Sequence, residues 1–393
     1  MSIAGVDIDL FSTAVLEEPW AAYAALRERG PAVYLDRYGV WAIPRYDEVF
    51  AMLRDHQTFS SAPVPALEPE RPDMEAARHS ILGSDPPRHT TLRAVLSEQL
   101  SPRALRTLRA DIETQADAVV AGLVERGTYD AVQDLARRFP VEVVARLVGL
   151  PEDAREPLLA LADAAFNTFG PANELTQASW SRLPEIGGYI AQVMTRETIA
   201  PGSWGAAVYA AADRGDISEP DAIQMMNAFI VAGMDTTVNS IGSAIWLLAE
   251  RPDTWAALRE DPSLVRSAYE EALRYESPVS FFCRGVTRPT EVGGVQLDAG
   301  DRVMLLFGAA NRDERHYADA DRFDVRRNPL DHVAFGGGIH GCAGQGLARI
   351  EGPAVLGALV RHVEFLELAG EPSRHLNNAV RGLERLPIAT RTS

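Results

Sequence analysis

No lysine occurs in the 393 residues, and all 38 basic side chains are arginine. That absence excludes Schiff-base and pyridoxal-phosphate chemistry, which need a lysine amine. Cysteine is nearly as scarce: Cys283 and Cys342 are the only two, too few for a disulfide framework. No apolar stretch approaches about 18 uninterrupted residues, and the first ten residues carry no basic region. Neither a membrane span nor a secretory leader is therefore expected, and a cytoplasmic monomer is. Basic residues are outnumbered by 55 acidic ones, for a net charge of −17, which disfavours nucleic acid or an anionic membrane as partner. There is no nucleotide or flavin fingerprint and no iron–sulfur cysteine set, so electrons for any redox step must come from outside the chain. A hydrophobic content of 46% with 24% charged residues suits a large buried core. No linker interrupts the pattern, so a single domain over 1–393 is expected.

What is present concentrates between His332 and Gly346, where the chain reads His-Val-Ala-Phe-Gly-Gly-Gly-Ile-His-Gly-Cys-Ala-Gly-Gln-Gly. A buried thiolate needs donors, because an unpaired interior charge is costly. Gly336, Gly337, Gly338 and Gly341 can take φ > 0 and are expected to fold their amides toward the Cys342 sulfur. A helical pattern beginning near Ala343 adds the positive end of a helix dipole. The spacing Phe335-Gly336-x-Gly338-x-His340-x-Cys342-x-Gly344 resembles the cysteine-ligand loop of the cytochrome P-450 superfamily, in which a thiolate ligates haem iron and favours O–O cleavage. The resemblance implies haem b with Cys342 as metal ligand and Phe335, His340 and Gly344 as haem contacts. It also implies a mainly α fold with a smaller β region, the haem lying between a long central helix and the helix behind the cysteine loop.

Other stretches fit that implication in chain order. Helical patterns run over Pro19–Glu28 and Tyr46–Asp55, with a strand-like segment at Val33–Ile43 broken by Asp36, Arg37 and Gly39. Residues 60–78, rich in Pro, Ala and Glu, form a long loop, and such loops are more often functional than idle. In the family resembled, this stretch lines the substrate pocket. A helix opens after Ser84, with Asp85 as its expected cap and Pro86 and Pro87 in its first turn. His89 and Arg93 share its face and match the family's pair of haem-propionate ligands. Further helices are expected over 102–126 and 139–150. Phe166 and Phe169 are expected on one helical face.

The run Asp221–Glu250 reads as the longest helix, crossing the molecule. An Asp-Thr pair in its apolar middle, Asp235-Thr236, is locally expensive. Thr236 can bond back to the carbonyl four residues earlier and open the helix. Small Ala232 and Gly233 leave room for a flat macrocycle. The pair resembles the family's acid and alcohol, which implies that Asp235 and Thr236 are catalytic and manage protons while O–O cleavage proceeds. Glu271 and Arg274 fit the family's Glu-x-x-Arg, a structural ion pair closed by a downstream arginine, here expected at Arg322. Arg284, on the strand Ser280–Arg284, falls where the family has another propionate ligand. Gly293-Gly294 and Ala299-Gly300 mark turns between short strands.

A narrower resemblance, to bacterial enzymes that O-demethylate para-methoxybenzoates, rests on residues 165–175, on Glu276–Val279 with Phe282, and on Asn377–Glu384. It implies that Phe166, Phe169 and Phe282 hold a benzene ring over the iron, with Val279 beside them. The chain departs from that pattern at Ala228 and Val231, where those enzymes place polar groups for the substrate carboxylate. Either Arg78, His79 or Ser80 takes the carboxylate, or the substrate lacks one and is a phenol ether. The expected activity is O2-dependent hydroxylation or O-demethylation of a para-substituted benzoate or methoxyphenol. A ferredoxin with its NAD(P)H-dependent reductase would supply electrons, docking near Arg103, Arg106, Arg109, Arg326, Arg327 and Arg349. Alternatives are a hydroxylase of another small hydrophobic compound such as a terpenoid, a peroxide-driven enzyme, a gas sensor, or a catalytically silent recruitment protein.

Overall fold

The computed structural model describes residues 5–62, 65–151 and 155–392. Helix α1 (Trp20–Arg29) leads into an antiparallel hairpin of β1 (Val33–Leu35) and β2 (Val40–Ile43), the break falling at Asp36–Gly39 as the sequence predicts. Helix α2 (Tyr46–Met52) and the short β3 (Phe59–Ser60) follow. After the long loop comes α3 (Arg88–Gln99), then α4 (Pro102–Val124), where the Ser101 hydroxyl accepts the Ala104 N–H at 3.3 Å and Pro102 occupies the first helical position.

Next are β4 (Thr128–Asp130), α5 (Arg138–Val148), α6 (Arg155–Asn167) and α7 (Glu174–Val193). Helix α8 (Glu219–Gly233) is started by a capping box between Ser218 and Asp221. Met234 separates it from α9 (Asp235–Ala249). The single long helix expected over Asp221–Glu250 is thus two. The Thr236 hydroxyl donates to the Ala232 carbonyl at 2.8 Å, and Thr237 donates to Gly233 at 3.2 Å. Two consecutive hydroxyls bonding back four residues loosen the ladder at that point.

Helix α10 (Val265–Glu276) precedes β5 (Phe281–Val286), β6 (Thr290–Val292), β7 (Val295–Leu297) and β8 (Arg302–Leu306). Helix α11 (Gln345–His362) starts behind the cysteine loop. Strands β9 (Phe365–Leu368), β10 (Ser373–His375), β11 (Gly382–Arg385) and β12 (Pro387–Arg391) end the chain's regular structure. The largest sheet has the order β1-β2-β8-β5-β3, with β2 and β8 parallel and the other pairs antiparallel. Helices dominate and the sheets are small, as expected.

Packing follows spacing. Ile112, Ala116 and Val120, four apart on α4, share one buried cluster with Val355 and Leu359 of α11. Behind the cysteine loop, Arg274 joins Glu271 at 2.7 and 2.8 Å with both side chains wholly buried. The arginine that completes this group is Arg327, whose Nε reaches Glu271 Oε1 at 3.2 Å. Arg322, expected in that place, contributes only its carbonyl, to Arg274 Nη2. No strict period governs this irregular stretch, so sequence spacing could not choose between the two. Among the described residues no helix is long and apolar enough to cross a membrane.

Candidate active site

Cys342 follows two short turns, and its N–H donates to the Phe335 carbonyl at 2.8 Å, closing the loop on itself. Gly336 and Gly338 do take positive φ, +64° and +61°. A Cβ on Gly338 would stand 2.1 Å from the Leu53 carbonyl oxygen, so only glycine fits there. The loop's amides, however, do not serve the sulfur as expected: those of Gly336 and Gly341 bond Val333 and Gly338 carbonyls within the turn. Burial pushes the Cys342 thiol up, opposed by the N–H of Gly344, Arg93, the N–H of Gln345, and Arg349. The donors thus come from the start of α11, where the helix dipole also points. Phe335 is half-buried, with the Arg349 guanidinium 4.6 Å from its ring centroid.

The sequence-predicted anion ligands come from three elements. His89 is buried on α3, and its ring centroid lies 4.4 Å from that of His340. Neither Nε2 has a hydrogen-bond partner among the described residues, the nearest carboxylate oxygen to His340, on Asp85, being 3.9 Å away. Burial holds His89 down at about 4, helped by the charges of His340 and Arg93. Arg284 is buried on β5 and burial lowers it to about 10; its Nη1 reaches only the Cys283 carbonyl, at 2.8 Å. Among the described residues neither Arg93 nor Arg284 has a carboxylate partner.

Arg93 and Arg284, half-buried and buried without a carboxylate partner among the described residues, suit a dianionic ligand, because such cations are costly unless paired, and the two histidines add ring N–H donors. At the end of α8, Ala232 is exposed while Ile230 before it and Met234 and Asp235 after it are buried. A space therefore opens beside that residue. Gly233 does not face it, since a Cβ there would meet Val144 at 3.7 Å. The residues present fit a flat, doubly anionic cofactor with a thiolate beneath it.

Asp85 is not the helix cap that the sequence predicts. It accepts from the Ser60 hydroxyl and, at 3.3 Å, from the Ser61 N–H, while Pro87 takes the cap position without a side-chain bond. Asp235 is buried, its Oδ2 has no partner among the described residues, and burial raises it to about 6. Thr236 beside it is half-buried.

Phe166 ends α6, whereas Phe169 lies past that helix instead of sharing its face. Their rings are nevertheless 6.2 Å apart, and Phe169 meets Phe282 of β5 edge-on at 5.7 Å. Alternation along β5 puts Phe282 and Arg284 on one face of the sheet, so one strand serves both ring and anion. Val231 and Val279 pack with these phenylalanines, and Ala228 is half-buried three residues before Val231. Sequence reasoning missed Leu67 and Met74, buried members of the same cluster. Their signal was two large apolar residues in an otherwise Pro- and Glu-rich loop.

That loop is tied to the aromatic turn. The Leu67 N–H donates to the Phe169 carbonyl at 2.8 Å, and Arg71 bonds the carbonyls of Gly170, at 2.8 Å, and Thr168. Arg78 is already held by Glu75 at 3.2 Å, Glu70 at 3.5 Å and the Pro69 carbonyl. His79 is exposed and lies 3.2 Å from Glu75, and the Ser80 hydroxyl donates to Ala77. The three stretches behind the narrower resemblance meet in space. Asn378 donates to the Asn167 carbonyl, Asn173 and Thr176, Arg381 bonds Glu276, and Val279 bridges Val380.

Beside Cys342 a groove of about 920 Å³ is lined by Arg93, Arg106, Arg109, Arg266 and Arg349. Arg349 is paired with Glu270 at 2.6 Å and Arg327 with Glu271, so neither is a free surface charge.

Comparison with known proteins agrees with this geometry. A family model described as Cytochrome P450 matches residues 206–384. The chain is 44% identical to cytochrome p450 CYP199A2 of Rhodopseudomonas palustris, over 97% of this chain and 93% of that protein. It is 33% identical to the cytochrome P450 monooxygenase PikC of Streptomyces venezuelae, over 95% and 91%. The crystal structure of CYP109E1 from Bacillus megaterium in complex with testosterone superposes with a TM-score of 0.87 at 26% identity, covering 97% of this chain and all of that one. Site geometry and likeness along nearly the whole length agree: the chain belongs to the cytochrome P450 family, monooxygenases whose haem b is held by a cysteine thiolate, for which Cys342 is the cysteine in place.

Proposed function

We propose that this monooxygenase acts on a small aromatic compound, a para-substituted benzoate or methoxyphenol, and most directly on the methyl group of an aryl methyl ether. One O2, two electrons and two protons would convert the ether to the phenol, formaldehyde and water. The observation that carries the reading is the convergence of Phe166, Phe169 and Phe282 from a helix, a turn and a strand. These rings already touch one another, so a flat substrate ring packs against the cluster rather than between its members.

When bound, the haem supplies activation of O2 and oxygen insertion into the C–H bond. Cys342 would ligate its iron, and His89, Arg93, Arg284 and His340 would hold its propionates, while Ala232, Phe335 and Gly344 would shape the space around it. Asp235 and Thr236 hold and move protons: the carboxyl is poised near neutrality, and the hydroxyl at the helix break can both donate and accept. Electrons come from a ferredoxin, itself reduced by an NAD(P)H-dependent reductase, that docks over the arginine-lined groove beside Cys342. Arg103 and Arg106, both exposed, are better placed to meet it than Arg327 or Arg349.

Because Arg78 and His79 are engaged by Glu70 and Glu75, ring contacts outweigh a carboxylate anchor, and a neutral phenol ether fits as well as an acid. Titrating the ferric protein with 4-methoxybenzoate and with 4-methoxyphenol should give a low-to-high-spin change in the haem spectrum with at least one. No change with either, alongside a change with a non-aromatic terpenoid, would overturn the aromatic assignment.

A further inference from the structure

Outside the site already described, a group of ionisable side chains lies behind Asp235, the acid proposed above. His375 on β10 is held at both ring nitrogens, Nε2 2.7 Å from Asp163 Oδ1 and Nδ1 3.0 Å from Glu384 Oε2. With a carboxylate oxygen at each nitrogen, both carry hydrogens and the ring is an imidazolium. Asp163 is fixed by Asn377, whose Nδ2 donates to its Oδ1 at 2.9 Å and to its backbone carbonyl at 3.0 Å. Arg182 of α7 lies 3.8 Å from Asp163, and Arg137 lies 3.8 Å from Glu384.

Packing links this group to Asp235. His375 pairs with Gly382 across the β10–β11 ladder. A Cβ on Gly382 would stand 2.0 Å from Asn239 Oδ1, and Asn239 is one turn beyond Asp235 on α9. Helix α9 also packs on α6, which carries Asp163. Exposure is graded outward: Asp235 is 7% exposed, and the side chains of Asp163, His375 and Glu384 are 22%, 25% and 45% exposed. The Asp235 oxygen without a hydrogen bond therefore lies at the buried end of a charged group that reaches the surface.

Resting on the reading of Asp235 as the catalytic acid, we propose that His375 is a positioning residue for the reaction: clamped between Asp163 and Glu384, its fixed positive charge governs when the Asp235 carboxyl gives up and regains its proton. The charges that act on Asp235 are His375 from β10, Asp163 from α6 and Arg137 before α5; those on His375 are Asp163, Glu384 and Asp235 itself. His375 favours the ionised acid and Asp163 opposes it, so removing each must move Asp235 in opposite directions.

The test is a difference-infrared titration of the haem-loaded protein, with the Asp235 carboxyl band assigned by its loss in Asp235→Asn. His375→Gln should raise the midpoint, about a tenfold fall in the acid dissociation constant. Asp163→Asn should lower it, and His375→Arg, which keeps the charge, should restore it toward the parent. The acidic limb of the pH profile for product formed per electron consumed should follow the same order. Far-ultraviolet dichroism identifies any variant that fails to fold, and the remaining variants still decide the sign. A midpoint unmoved in both His375→Gln and Asp163→Asn, or moved the same way, would overturn the inference. Asp235→Asn with undiminished coupling of electrons to product would instead overturn the role given to Asp235, leaving the effect of His375 on its titration intact.

Discussion

Replacing Arg274 by lysine isolates what the guanidinium contributes beneath the cysteine loop. Arg274 is wholly buried and all five of its N–H hydrogens have acceptors: Glu271 at 2.7 and 2.8 Å, the carbonyls of Asn311 and Ala320 at 2.8 Å each, and that of Arg322 at 3.2 Å. Lysine keeps the charge but brings three hydrogens at one point, so at least two of these five bonds are lost, even though Arg327 still reaches Glu271 Oε1 and the Arg322 carbonyl. A hydrogen bond to a charged group contributes about 1.5–3 kcal/mol, so losing two puts Arg274→Lys at roughly 3 kcal/mol. Glu271→Gln leaves Arg274 and Arg327 facing a neutral amide and should cost about 3–5 kcal/mol. The control is Asp7→Asn, which breaks the exposed pair with Arg37 at 2.9 Å and should leave the unfolding midpoint nearly unchanged. Against a total stability of roughly 5–15 kcal/mol, the lysine variant should stay folded with a lowered midpoint. Urea unfolding at fixed pH, followed by dichroism and by haem absorbance, measures all three. If Arg274→Lys lost no more than Asp7→Asn, the geometric account of this buried group would be wrong.

Two further outcomes separate the cost of building the site from its use. Arg284→Leu removes a buried cation with no carboxylate partner among the described residues, so the haem-free protein should gain about 1–3 kcal/mol while haem dissociates about tenfold faster or more; a less stable haem-free variant, measured by urea unfolding, would refute this. His375, raised to about 10 from the ordinary histidine value because hydrogen bonds to Asp163 and Glu384 outweigh burial, binds its proton more tightly folded than unfolded. Its contribution is therefore full below about pH 6.5 and is lost as pH rises toward 10, by about 2 kcal/mol once screening at half-exposed Glu384 is allowed for. Thermal unfolding should show this loss in the parent and a flatter profile in His375→Gln; equal slopes would contradict it.

The parts of the site legible in the sequence are those where chemistry leaves few choices. A lone cysteine amid spaced glycines, an Asp-Thr pair in an apolar helix, and His89 four residues before Arg93 all kept their register in the fold. What the sequence hid depended on tertiary partners. Asp85 looks like a helix cap because any acid before a helix does, yet Ser60 and the Ser61 N–H claim it from a strand 25 residues away. Arg322 and Arg327 both follow Glu271 within an irregular stretch, and only the path of that stretch decides which guanidinium arrives. The work of the glycines before Cys342 is steric, and the amides that reach the sulfur come from Gly344 and Gln345 after it, an assignment that depends on the path of the turn and not on glycine spacing.

Met234 shows how the two kinds of information meet. Thr236 signals a local opening of the helix, and the back-bond to Ala232 is there, but hydroxyl chemistry alone does not say that the run will divide in two. The division makes Asp235 the first residue of a new helix, where the positive end of the dipole favours a carboxylate even as burial opposes it. An acid under two opposing pressures is held at about 6, within reach of the proton transfer proposed for it. The break in the helix and the readiness of the acid are therefore one feature: a substitution at Thr236 that closed the ladder would take from Asp235 the helix start that helps to ionise it.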